Sequence, residues 1–167
     1  MKNLLVLILF FLFSVSICGQ KKSDDEISAQ DKILLQKFWT DFTDAVTRND
    51  KGKIKTLCEF PFYCRPCIDY LGSKNSNLVT VKVSRDSYQK KYYKVFFEKE
   101  LKAEVKKHQK FNLQFFHPYF NKEVKIQGIS FLYTMIPPSK TWEGAQGMIT
   151  LAKKEGKFKI TGIDMVP

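Results

Sequence analysis

The spacing of apolar residues along this 167-residue chain turns from mostly helical to alternating near His108, and that change limits what the chain can fold into. From Ile27 to Val46 the apolar side chains fall at Ile27, Leu34, Leu35, Phe38, Trp39, Phe42, Ala45 and Val46. Those steps place them along one face of a long helix. Asn49-Asp50 breaks the pattern and offers an N-cap for a short second helix that turns Ile54, Leu57 and Cys58 inward. Pro61 is expected to stop that helix, since proline lacks the donor a continuing helix needs. Leu78–Val83 alternates and is β-branched, which predicts a strand. Ser84 can cap a third helical region through Phe97, continuing after a bend to His108. Beyond that point the period is two. Lys110–Phe116, Glu123–Met135, Gly144–Lys153 and Gly156–Met165 read as half-buried strands, the last two joined by a tight turn at Glu155-Gly156. Helices first and antiparallel sheet afterwards give an α+β domain.

The first residues carry a separate message. Met1-Lys2-Asn3 is basic, Leu4 to Phe13 is unbroken hydrocarbon, and Ser14 to Gly19 brings small groups around Cys18. That order reads as an export signal over residues 1–18, too short for a spanning helix of about 20 apolar residues. Residues 19–27 read as a flexible tether and 28–167 as one domain. Cleavage before Cys18 would make its thiol a lipid attachment site, as in bacterial lipoproteins. Val15 and Ser16 suit that processing and Ile17 does not. The expected location is therefore the bacterial cell envelope, either the periplasm or a membrane face reached by a lipid.

The formal net charge is +11. Lys90, Lys91, Lys94, Lys99, Lys102, Lys106, Lys107 and Lys110 gather that charge in one segment. Nucleic-acid binding would need exposed aromatic rings on the same face. Here the helical spacing of Tyr88, Tyr92, Tyr93, Phe96 and Phe97 sends several of them to the opposite, core-seeking stripe. The plain reading is a solvated face that leans toward anionic envelope lipids or polysaccharides, with no nucleic acid as partner.

Cys58, Cys64 and Cys67 sit in CEFPFYCRPC. Under oxidising conditions three cysteines leave one bridge and one spare thiol. An Arg65-Pro66 turn favours Cys64–Cys67, with Cys58 as a small buried hydrophobe; Cys58 bridged to either of the others stays open. A thiol oxidoreductase would need an exposed Cys64 at a helix N-terminus, where the dipole favours thiolate. Zinc held by these thiols with His108 or His117 lacks the spacing of a zinc module, so no metal and no cofactor is expected.

The run FWTDFTDAVTRNDKGKIKTLCEFPF (Phe38–Phe62) resembles the opening helix pair of the NTF2-like superfamily. SRDSYQKKYYKVFF (Ser84–Phe97) is similar to its third helix, and ITLAKKEGKFKITGIDMV (Ile149–Val166) to its closing hairpin. The resemblance, to the ketosteroid-isomerase-like group, implies a cone: N-terminal helices packed on a strongly curved, mostly antiparallel sheet, often with an apolar pocket at its mouth. It also implies a homodimer formed through the sheet, as relatives of this shape often pair. Enzymes of that family hold an acid or base within the cone, where burial raises a carboxyl pKa toward neutrality.

Tyr63, Asp69, His117 and Tyr133 are the pocket candidates here, with Tyr70, Tyr119 and Glu143 also conceivable. Each has a plainer role. Tyr63 and Tyr133 fit core rings, His117 before Pro118 fits a strand-end rim, and Asp69 fits solvent. No spacing among them demands catalysis. The expected function is a non-catalytic binding or interaction domain, with a small molecule or an envelope protein as its partner. A small-molecule isomerase or dehydratase and a CxxC oxidoreductase are the alternatives. An interior plugged by Phe and Trp would favour binding; an open cavity with an acid or histidine projecting into it would favour an enzyme.

Overall fold

The computed structural model describes residues 27–71, 80–121, 126–141 and 143–166. The leader, Cys18, the tether up to residue 26, and Leu78-Val79 lie outside the described residues. Helix α1 (Ala29–Thr47) starts at Ser28, whose hydroxyl accepts from the Asp31 N–H, and it buries Leu35, Phe38, Trp39, Phe42, Ala45 and Val46. Helix α2 (Lys51–Leu57) is capped by Asp50 and buries Ile54 and Leu57. Both follow the apolar stripe read from sequence.

The helix does not run on to Pro61. It ends at Leu57, and strand β1 (Cys58–Cys64) begins at once. Pro61, which follows a cis peptide bond, sits in the stretch between Cys58 and Tyr63 where pairing to the neighbouring strand shifts. No residue partner is paired with it there, so its missing N–H removes no ladder bond. A 3-10 turn (Pro66–Leu71) leads away from β1, and β2 (Val81–Val83) pairs back onto Phe62–Cys64 antiparallel.

The third helical region is divided. Ser84 closes a capping box on α3 (Arg85–Lys90), a 3-10 segment (Tyr92–Phe97) follows, and α4 (Lys99–Lys107) starts after an extended Glu98. The expected strand over Lys110–Phe116 is instead a loop with a 3-10 turn, Leu113–Phe115. Two forces win there over alternation. The Asn112 side chain accepts from the Gln114 N–H, closing a local turn, and Phe115 and Phe116 both turn their rings onto Trp39.

Strand β3 (His117–Asn121) opens the antiparallel run β4 (Ile126–Ile136), β5 (Ala145–Lys154) and β6 (Lys157–Val166). The β5–β6 turn has positive φ at Glu155 (49°) and Gly156 (72°), the requirement of a tight primed turn. The sheet order is β2-β1-β6-β5-β4-β3; only β1 and β6 are parallel. The six strands form an open sheet, and the chain is a mixed α+β domain. A register shift at Thr150/Leu151 leaves Thr161 as an extra residue on β6. Ile160 and Ile163, three apart, therefore both face the core.

Between the helices and the sheet lies an aromatic interior. Trp39 meets Phe42, Phe115, Phe116 and Phe131 at 5.1–5.8 Å between ring centroids, and its indole N–H donates to the His108 carbonyl at 2.7 Å. That bond ties the middle of α1 to the end of α4. Phe42, Phe62, Phe96 and Tyr88 continue the packing, and the Tyr88 hydroxyl donates to the Lys51 carbonyl at 2.9 Å.

Candidate functional site

Three places combine polar chemistry with shape. The first is inside. β4 sends Tyr133 into the core, where its side chain is 2 % exposed and its hydroxyl has no hydrogen-bond partner. The ring lies across Gly147 of β5, directly opposite in register; a Cβ at position 147 would come within 2.3 Å of it. Glycine is required there by the tyrosine, not by the backbone. Near the junction of the 3-10 segment and α4, the Tyr70 hydroxyl donates to a Glu98 carboxylate oxygen. Burial raises the Glu98 pKa; the Tyr70 bond pulls it back, and the charges of Glu100 and Asp69 push it up again. Burial, then the Glu98, Tyr70 and Glu100 charges, also raise the Tyr133 pKa, so its phenol stays protonated. A protonated phenol and a half-buried acid thus lie within electrostatic reach of each other.

The second place is a groove of about 280 Å³ between α1, α2 and the start of β6. Lys37, Lys53, Lys157 and Lys159 rim it; Leu34, Phe38, Leu57 and Phe158 form the floor. Asp41 is its one carboxylate. It pairs with Lys53 at 2.9 Å and approaches Lys37 at 3.9 Å. The Lys159 ammonium donates to the Thr56 carbonyl at the end of α2. The third place is an open cleft of about 630 Å³ at one end of the sheet, lined in part by Arg65, Ile136, Glu143 and Met165.

The sequence candidates scatter among these places. Tyr133 is a core ring, as expected, but its hydroxyl is orphaned inside and does not reach an edge. Tyr63, also read as a core ring and pocket residue, is 56 % exposed. It alternates with the buried Phe62 and Cys64, so the strand parity of β1 sends it to the other face. Asp69 is exposed, as its plain reading had it, and His117 is exposed at the start of β3. Tyr119 lies in β3, with its side chain outside the described residues, and Glu143 is exposed at the cleft. Glu98 was not singled out from sequence. A glutamate followed by Lys99 and Glu100 reads as surface, and only the chain bend at Glu98 turns it toward Tyr70.

Compared with protein-family models, curated proteins and solved structures, this chain matches none.

The cysteines follow the favoured arrangement. Cys64 and Cys67 stand at disulfide distance, their Cα atoms 5.3 Å apart, and Cys58 is free and buried. Burial raises the Cys58 pKa, which keeps the thiol protonated and inert. Cys64 and Cys67 are both fully buried, and Cys64 closes a strand instead of opening a helix. Neither offers the reachable, dipole-stabilised thiolate that exchange chemistry needs. Among the described residues no three His, Cys, Asp or Glu side chains gather as a metal site would require.

The lysine-rich segment stands over aromatic rings. Lys51 lies 4.8 Å from the Tyr93 ring centre, Lys91 5.7 Å from that of Tyr92, and Lys102 5.8 Å from that of Phe97. Tyr92 is buried and Tyr93 and Phe97 are half-buried, so these rings lie largely beneath the lysines. No described helix is long and apolar enough to cross a membrane.

Proposed function

We propose that this chain is an exported, non-catalytic binding domain of the bacterial cell envelope. In this reading it is an NTF2-like cone whose lysine-rich segment between Arg85 and Lys110 faces an anionic envelope surface. One observation carries the reading: the core between helices and sheet is packed with Trp39, Phe42, Phe62, Phe96, Phe116 and Phe131, all buried. The strand order and the helices-first chain path support the cone. The leader composition and the cysteine pairing support export. The exposed Lys90, Lys94, Lys99, Lys106, Lys107 and Lys110 support contact with negative charge through long-range attraction.

A second reading draws on the interior polar cluster. An orphaned phenol beside an acid of raised pKa is a common arrangement for acid–base work, which favours a small-molecule isomerase or dehydratase. One experiment separates the two. The full chain, expressed with its leader, is fractionated, and membrane material is analysed by mass spectrometry for lipid on Cys18. The purified protein is then sedimented with phosphatidylglycerol vesicles, and candidate small molecules incubated with it are recovered and weighed. Salt-sensitive sedimentation with every small molecule recovered unchanged fits a binding domain. Conversion of a molecule, lost in both Glu98→Gln and Tyr133→Phe, would replace it with the enzyme.

A further inference from the structure

We propose that the groove between α1, α2 and β6 is a binding site for a soluble single-chain amphiphile ending in an oxyanion, a phosphate monoester or a carboxylate. The proposal goes beyond the envelope-binding reading, because it uses other residues and a different kind of ligand.

Charge is the first argument. Four ammonium groups and one carboxylate meet at the groove, an excess of three positive charges over a small concavity. Their positions are the second. Asp41 holds Lys53, and the Thr56 carbonyl holds Lys159 at the C-terminal end of α2, where the helix dipole favours a cation. An ammonium has three donors, so each of these lysines keeps donors for a ligand after making its internal contact. Lys157 is exposed beside them, and its ammonium makes no hydrogen bond or ion pair among the described residues. A ligand oxyanion therefore meets donors already fixed in place, which lowers the ordering cost of binding.

The floor decides what the anion carries. Leu34, Phe38, Leu57 and Phe158 lie below the lysines, and Phe38, Leu57 and Phe158 are buried. Insertion into a bilayer needs apolar side chains that protrude beyond the charged ones, and here they are recessed. A narrow tail can enter a groove of about 280 Å³, near the lower limit of ordinary small-molecule sites. Two-chain lipid in a membrane cannot reach the floor without leaving the membrane.

Octyl phosphate tests the idea by calorimetry or by amide chemical shifts, with inorganic phosphate and the uncharged octyl glucoside as comparisons. The expected result is octyl phosphate binding about tenfold tighter than either, since head and tail each contribute. Shift changes should centre on Lys53, Thr56, Lys157 and Lys159. A Lys157→Gln/Lys159→Gln double variant should weaken it about tenfold or more, while Lys94→Gln/Lys106→Gln should leave it unchanged. Equal binding of inorganic and octyl phosphate would remove the tail from the proposal and overturn it. So would binding unchanged in the Lys157/Lys159 variant, or capture by phosphatidylglycerol vesicles that displaces octyl phosphate from the groove. Vesicle sedimentation that survives loss of the groove lysines but not loss of Lys94 and Lys106 is expected, since the two ligands use different residues.

Discussion

The interior of this domain and the groove on its flank use opposite means. Inside, the aromatic rings fill the space, and the few polar atoms are buried at a cost: Tyr133 has no partner and Glu98 has its pKa raised. In the groove the apolar residues are few and recessed, and the charges are solvated, with Lys53 held by Asp41 and Lys159 by the Thr56 carbonyl. Stability should therefore reside in the first region and ligand recognition in the second. Substitutions that exchange those roles would break the comparison.

Trp39→Ala is the largest expected effect. It removes a fully buried ring in contact with four others and the bond to the His108 carbonyl. About 3–5 kcal/mol should be lost, read as a lower urea midpoint with near-normal slope. Lys157→Gln in the groove should change stability by no more than about 0.5 kcal/mol. A groove substitution as costly as the tryptophan would show that the flank holds the fold together.

Next in size is Gly147→Ala. The added methyl meets the Tyr133 ring at 2.3 Å, and overpacking of this kind costs about 1–3 kcal/mol. The physical cause predicts its own rescue. In Gly147→Ala/Tyr133→Leu the cost of the two changes should fall short of their sum, because the shortened side chain vacates the clash. Simple additivity would mean that position 147 needs glycine for another reason.

Removing the bridge as Cys64→Ala/Cys67→Ala should cost about 2 kcal/mol on the chain-entropy account, since the closed loop is short. In chain processed past Cys18, a thiol reagent under denaturing conditions should count one reactive thiol, Cys58. Three would show that the pair is not joined.

These sites differ in how legible they were. The stripe of α1, the caps at Asp50 and Ser84, and the Glu155-Gly156 turn could be read from sequence because each depends on neighbours in the chain. Strand β1 could not, since a proline within CEFPFYC argues against a strand, and only the irregular pairing with β6 leaves room for it. The Phe111–Phe116 segment alternates well enough for a strand but is claimed by Trp39, which lies some seventy residues away in sequence. The candidate site was less legible still. Tyr133 could be named, but its orphaned hydroxyl, the demand on Gly147 and the turn that brings Glu98 to Tyr70 are all long-range. The four groove lysines come from three elements, and no local spacing links them.

Among neutral changes, Tyr133→Phe sharpens the contrast best. Its hydroxyl is buried without a partner, so deleting it removes a desolvation cost and should leave stability equal or up to about 1 kcal/mol higher. Tyr88→Phe is the matched control. That hydroxyl donates to the Lys51 carbonyl, and losing it should cost about 1 kcal/mol. If Tyr133→Phe is the more damaging of the two, the Tyr133 hydroxyl has a partner in solution, and the interior holds a polar site that its aromatic filling hides.

The smallest expected effect is a slope with pH. Burial raises the Glu98 carboxyl above its ordinary value of 4.5, with Glu100 and Asp69 adding to the shift and the Tyr70 hydroxyl opposing it. In the window above pH 4.5 the folded chain therefore keeps a proton that the unfolded chain has released. Stability contributed by this group is present below that window and falls as pH rises through it. Unfolding free energies measured from pH 4 to pH 8 should decline less steeply with pH in Glu98→Gln than in the parent chain. Tyr70→Phe should steepen the decline, because it removes the one contact that favours the charged carboxylate. A parent slope unchanged by both substitutions would place Glu98 in solvent, and the buried Tyr133 hydroxyl would then have no interior acid to work with.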